Sequence, residues 1–156
     1  MEPQPNDLKS IRILYLALLA GQVIFALIVT LLVETGLLSG GNSSLTQKMQ
    51  IAIIVIAAGA IPASIFLFRK QLSDINSEED LGKKLDKYRA VLIIRMALCE
   101  MPTLFAIIAY FLTHNRSFLW MIILLIFNFI FIYPSRQKII NQLQLNSSEQ
   151  SSLGLD

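Results

Sequence analysis

The chain has one cysteine, one histidine and seven glycines in 156 residues, and only 15% of its residues are charged. A single cysteine, Cys99, cannot close an internal disulfide, which excludes a disulfide-stapled secreted scaffold. His114 stands alone in a short polar stretch with no second His or Cys near it, so no metal site is expected. No Gly-rich phosphate loop, HExxH pair, CxxC pair or Ser-His-Asp set is present, and neither catalysis nor a cofactor is expected. A soluble domain carries about 25% charged residues. The shortfall excludes a soluble globular enzyme and a disordered chain, and a net charge of +2 is too small to argue for nucleic acid.

Apolar residues are abundant: 54% of the chain is hydrophobic, with a mean hydropathy of +0.61. They are concentrated in four runs, at about 11–33, 50–68, 90–112 and 118–133. A helix needs about 20 residues to cross ~30 Å of hydrocarbon, so the first and third runs are long enough to tilt and the fourth is short. The runs are continuously apolar without alternation, which indicates helices and not a barrel. The first run exceeds the roughly 7–15 residues of a signal-peptide core and is read as a retained span. Lys9, Arg12, Arg69, Lys70, Lys83, Lys84, Lys87, Arg89, Arg136 and Lys138 fall on one side of these spans; Lys48 and Arg116 fall on the other. The positive-inside rule then predicts an all-α, integral membrane four-helix transmembrane bundle with both termini cytoplasmic. Trp120 and Tyr133 mark its two interfaces as aromatic anchors.

Residues 1–10, with Pro3 and Pro5, read as a cytoplasmic tail. Between spans two and three, Ser77 can cap a helix that opens on Glu78, Glu79 and Asp80. Leu81, Leu85 and Tyr88 then recur at helical spacing, so span three is expected to extend into the cytoplasm, with Glu79–Lys83 and Asp80–Lys84 as i,i+4 pairs on a solvated face. After Pro134, Ser135 can cap a short amphipathic helix carrying Ile139, Ile140 and Leu143 on the inner leaflet, and 146–156 reads as a polar tail.

Polar groups in hydrocarbon are costly, about 2.5–3.5 kcal/mol for a central charge on insertion scales, so the few inside the runs are the informative ones. Glu100 lies about 15 Å along span three, near the midplane. Its side chain is too short to reach either interface, so it must be protonated, paired or turned to a polar cavity. Arg95 is the nearest charge partner, but an i,i+5 spacing places the two about 140° apart around the helix. Arg95 is also long enough to snorkel. Pro102 and Pro62 each free a carbonyl one turn back, and a freed carbonyl with Glu100, Thr103 and Ser64 makes a candidate ion-binding set. Gln22 and Asn128 are expected to hydrogen-bond between helices, and Ala17–Gly21, Gly59–Ala63 and Ala60–Ser64 are small-xxx-small pairs that let helices approach.

The stretch Ala97-Leu98-Cys99-Glu100-Met101-Pro102, followed by Leu104 to Ala109, resembles the carboxylate-bearing helix of rotary ATPase proteolipid (c) subunits. The resemblance covers about 20 residues and implies that Glu100 is an ion-binding acid. In length and layout the chain also resembles the membrane-associated glutathione-handling enzymes, but Arg89, Arg95 and Glu100 lack that family's Asn and its spacing. As a whole it looks like the small four-span proteins of bacterial membranes. The expected role is a non-enzymatic accessory or oligomer-forming subunit of an inner-membrane assembly. Its expected partners are lipids and either further copies of itself or other membrane subunits. The alternative is a proton- or cation-translocating element built on Glu100.

Overall fold

A computed structural model describes residues 6–36, 41–75 and 81–152. Among these the order is α1 (Asn6–Glu34), a 3₁₀ turn (Ser43–Leu45), α2 (Thr46–Ser73), α3 (Leu81–Thr113), α4 (Ser117–Ile130), α5 (Arg136–Leu143) and α6 (Ser147–Ser152), with no strand. Three of the helices, α1 to α3, are long and apolar enough to cross a membrane.

The helices end where backbone chemistry requires. Gly36 takes a left-handed φ of +69° beyond α1 and donates its N–H to the Val33 carbonyl at 3.3 Å. Asn42 caps the 3₁₀ turn by accepting from the Ser44 N–H at 3.1 Å. Its neighbour Gly41 lies against the end of α3, where a Cβ would fall on the Thr113 carbonyl. That close approach lets the Asn42 N–H reach the Leu112 carbonyl at 3.0 Å. α4 has 14 residues, two fewer than the run predicted, because Phe131, Ile132 and Tyr133 tighten into i→i+3 hydrogen bonds of 3.2, 3.0 and 3.2 Å before Pro134.

α3 is the central helix. Within its apolar stretch 44% of residues are buried, against 11% in α1 and 17% in α2. It packs against α2, α4 and α1, and α1 also touches α4. The core divides into two apolar clusters along its length. The inner one gathers Ile11, Tyr15, Phe68, Tyr88, Met96 and Phe129; the outer one gathers Val29, Ile53, Ile107, Tyr110, Phe118 and Ile122. Tyr15 stacks on Phe129 with ring centroids 5.3 Å apart, and its hydroxyl donates to the Phe129 carbonyl at 3.3 Å. On α1 the buried positions are Ile11, Tyr15, Gln22 and Val29, a single narrow seam of the kind a coiled coil uses. The remaining surface is apolar: Phe66, Trp120, Leu124 and Phe131 stand largely exposed. An exterior of this kind is stable in lipid and unstable in water.

The inner end differs from the sequence reading. α3 runs unbroken through Gly82, and Leu81, Leu85 and Tyr88 are buried as their spacing predicts. The Ser77 cap and the partners Glu78, Glu79 and Asp80 lie outside the described residues. The solvated face is corrected at Lys84, which is 2% exposed and paired with Glu149 at 2.7 Å. Ser135 caps α5 as expected, accepting from the Lys138 N–H at 3.4 Å. The apolar face of α5 is covered by protein, however: Ile139 and Leu143 are buried in the same cluster as Leu85 and Tyr88. The described part of the tail is also helical, over Ser147–Ser152. Asn146 and Glu149 form a reciprocal capping box, each side chain accepting from the other's N–H at 2.9 Å, at the start of α6.

Candidate functional site: the mid-depth polar layer

Four polar residues of the apolar helices, one on each, lie in sequence between the two clusters. On α1, Gln22 follows Leu19 of the inner cluster and precedes Ala26 of the outer; Ser64 lies between Ile61 and Phe68 on α2; Thr103 lies between Cys99 and Ala106 on α3; Asn128 lies between Leu125 and Phe129 on α4. Ser64 donates to the Ile61 carbonyl at 2.7 Å and accepts from the Cys99 thiol at 3.2 Å, both residues being buried. Gln22 and Thr103 are fully buried, and the Gln22 amide and the Thr103 hydroxyl find no partner among the described residues.

Glu100 faces away from this layer. It is half-buried in a groove of about 380 Å³ whose other walls are Ile56 of α2 and Ala97, Met101, Leu104 and Phe105 of α3. The groove opens on the one exposed stripe of α3, which carries Ile94, Ala97, Met101 and Ile108. On the α1 side the same stripe borders an apolar hollow of about 410 Å³ with Phe25, Ile28 and Leu32. Neither Glu100 nor Asn128, which is likewise half-buried, makes a side-chain hydrogen bond or ion pair among the described residues.

The sequence-predicted ion-binding set is therefore not assembled. Ser64 is engaged by Cys99 and Thr103 is sealed on the buried side of α3, leaving Glu100 with carbon neighbours only. Arg95 does not meet Glu100. Its guanidinium lies 4.4 Å from the centroid of the Phe68 ring on α2, a cation–π contact, and Phe68 meets Tyr88 edge-on at 6.3 Å. The expected interhelical hydrogen bonds of Gln22 and Asn128 are not formed among the described residues. The packing role of Gly21 and Gly59 inside the bundle is also corrected: both face outward, and a methyl group on either would meet nothing. Small residues permit close approach without requiring it. Ala63 is half-buried.

The sequence reading missed the connections that close the two ends of the bundle. At the outer end Glu34 receives two hydrogen bonds from Arg116, at 3.1 and 2.6 Å, and one from the Tyr110 hydroxyl at 3.1 Å. Gln50 donates to Ser117 at 2.7 Å, tying α2 to α4. At the inner end Tyr88 donates to Gln142 at 3.0 Å, beside the Lys84–Glu149 pair. Burial pushes the Glu149 carboxyl up, but the Lys84 ammonium and the Asn146 amide outweigh it and hold the group below the ordinary carboxylate range. The one signal for this end was the Asn146-x-x-Glu149 spacing, which is that of a capping box. Among the described residues no three of His, Cys, Asp and Glu converge as they would on a metal. Comparison with protein families, with curated proteins and with solved structures found no match to the chain.

Proposed function

We propose that the protein is a non-enzymatic accessory or oligomer-forming subunit of a bacterial inner-membrane assembly, crossing the bilayer four times with both termini in the cytoplasm. The asymmetry of ten Lys and Arg residues against two supports this orientation. A fourth crossing is physically adequate. The 14 residues of α4 span about 21 Å, and the tighter turn that follows adds roughly 6 Å, close to the hydrocarbon thickness. The observation that carries the functional reading is Glu100: a carboxyl group on an apolar, outward-opening groove with no hydrogen-bond or ion-pair partner among the described residues. An unpaired polar group at this depth is tolerated when an adjoining helix supplies a hydrogen bond. Native mass spectrometry in mild detergent tests the reading. A multimer or a hetero-complex is expected, and a strictly monomeric, partner-free protein overturns it. A translocating role for Glu100 draws on the same carboxyl but needs further oxygens around it, and its Ser64 and Thr103 candidates lie elsewhere. Unchanged ion flux in liposomes carrying Glu100→Gln would end that alternative.

A further inference from the structure

Among the described residues Glu100 and Asn128 are half-buried in the apolar helices and make no side-chain hydrogen bond or ion pair, and the two are complementary. Glu100 offers a carboxyl group; Asn128 offers an amide with two N–H donors and a carbonyl. They also share a depth. α3 and α4 form an antiparallel hairpin across residues 114–116, with Tyr110 and Phe118 in the outer cluster and Cys99 and Phe129 in the inner one. Glu100 is thirteen residues before Thr113 and Asn128 eleven after Ser117, so at about 1.5 Å per residue they lie ~20 and ~17 Å from the turn. They cannot meet within one chain, because α4 packs on the buried side of α3 while Glu100 opens on its exposed stripe. Asn128 borders the exposed stripe of α4, Leu124, Phe127 and Phe131, which is apolar as the groove is.

We propose that the Glu100 groove receives α4 of a second copy, with the Asn128 amide donating to the Glu100 carboxyl. This rests on the reading of the chain as an oligomer-forming subunit and names its interface. Lipid tails offer no donor at this depth. A symmetric contact of the groove with itself would set carboxyl against carboxyl. Two different faces meet instead, so the contact is heterologous, and copies that all cross the membrane in one orientation close into a ring where the rotation between them closes and extend as a row where it does not.

The test uses the full chain in two arms. In the first, on a Cys99→Ala background, differently tagged chains carrying Glu100→Cys or Asn128→Cys are co-expressed and oxidised mildly in native membranes. A mixed disulfide between the two tags is expected. In the second, Glu100→Leu and Asn128→Leu are each expected to weaken association about tenfold. The exchange Glu100→Asn with Asn128→Glu in one chain is expected to restore it. A multimer that forms without the mixed disulfide, or an exchange that restores nothing, overturns this interface and leaves the subunit reading standing. A wild-type protein that is monomeric in the same membranes overturns both. The disulfide arm introduces no bulky residue, so a leucine variant that fails to fold does not shelter the idea.

Discussion

Substituting Glu149 tests how the inner end is held. Lys84 is 2% exposed and Glu149 15%, so their 2.7 Å contact is largely removed from water. Removing one partner of a buried pair costs about 3–5 kcal/mol if the rest stays in place. Here the rest need not stay. α6 has six residues, too few to persist alone, and Glu149 also closes its capping box. The charge-assisted hydrogen bond that Glu149→Gln removes is worth about 1.5–3 kcal/mol, while Gln can still close the capping box. Glu149→Gln therefore releases α6 and lets Lys84 reach water. The penalty saturates at the docking energy of α6, about 2 kcal/mol, or roughly a thirtyfold rise in the open population. The assay is amide exchange across residues 144–152, with amine labelling of Lys84 as a second readout. The wild type is expected to protect both, and the variant to lose both while α1 to α4 keep their exchange. The sign with pH follows from the carboxyl being held below its ordinary value. Its contribution is complete above the unfolded carboxylate pKa of about 4.3 and is lost as pH falls through the lower folded value. Protection of 144–152 should thus be level near neutrality, drop in acid, and be flat throughout in Glu149→Gln. Unaltered exchange and labelling in the variant would refute the reasoning.

Three further outcomes follow from the geometry. Gln22→Leu removes a fully buried amide that has no partner among the described residues, and is expected to raise the unfolding midpoint in mild detergent by the equivalent of about 1–3 kcal/mol; a lower midpoint would show that the amide is satisfied. Gly41→Ala places a methyl on the Thr113 carbonyl and forces the 41–42 backbone off the Leu112 carbonyl; a loss of about 1–3 kcal/mol in thermal unfolding is expected. Met96→Ala empties a site at 0% exposure in the inner cluster and should cost about 2–5 kcal/mol by the same measurement, whereas Met101→Ala, on the 52%-exposed stripe, should cost far less.

The helices themselves were legible because each apolar run outlasts what a soluble core would use, and the inner extension of α3 showed in the spacing of Leu81, Leu85 and Tyr88. Which helix sits in the middle was not legible. In lipid the outward face is as apolar as the inward one, so Met101 and Met96 look alike in sequence although one is half exposed and the other sealed. The same ambiguity misplaced Gly21 and Gly59, whose small size is compatible with either face. The separation of Glu100 from Ser64 and Thr103 depends on how α2 and α3 rotate against each other, which spacing along either helix does not determine. Lys84 was read as solvated because its partner lies 65 residues away, in a tail whose serines and glutamines suggested no structure.

The inner cluster has an order of assembly written into it. Ile139, Leu143 and Leu145, which close it over Leu85 and Tyr88, follow all four apolar helices along the chain. They leave the ribosome only after those helices have been made. Until then the end of α3 presents uncovered leucine and tyrosine, the condition that invites capture by chaperones and proteases. The cluster is thus closed last, and a chain stopped short of α5 would carry its helices but not its latch.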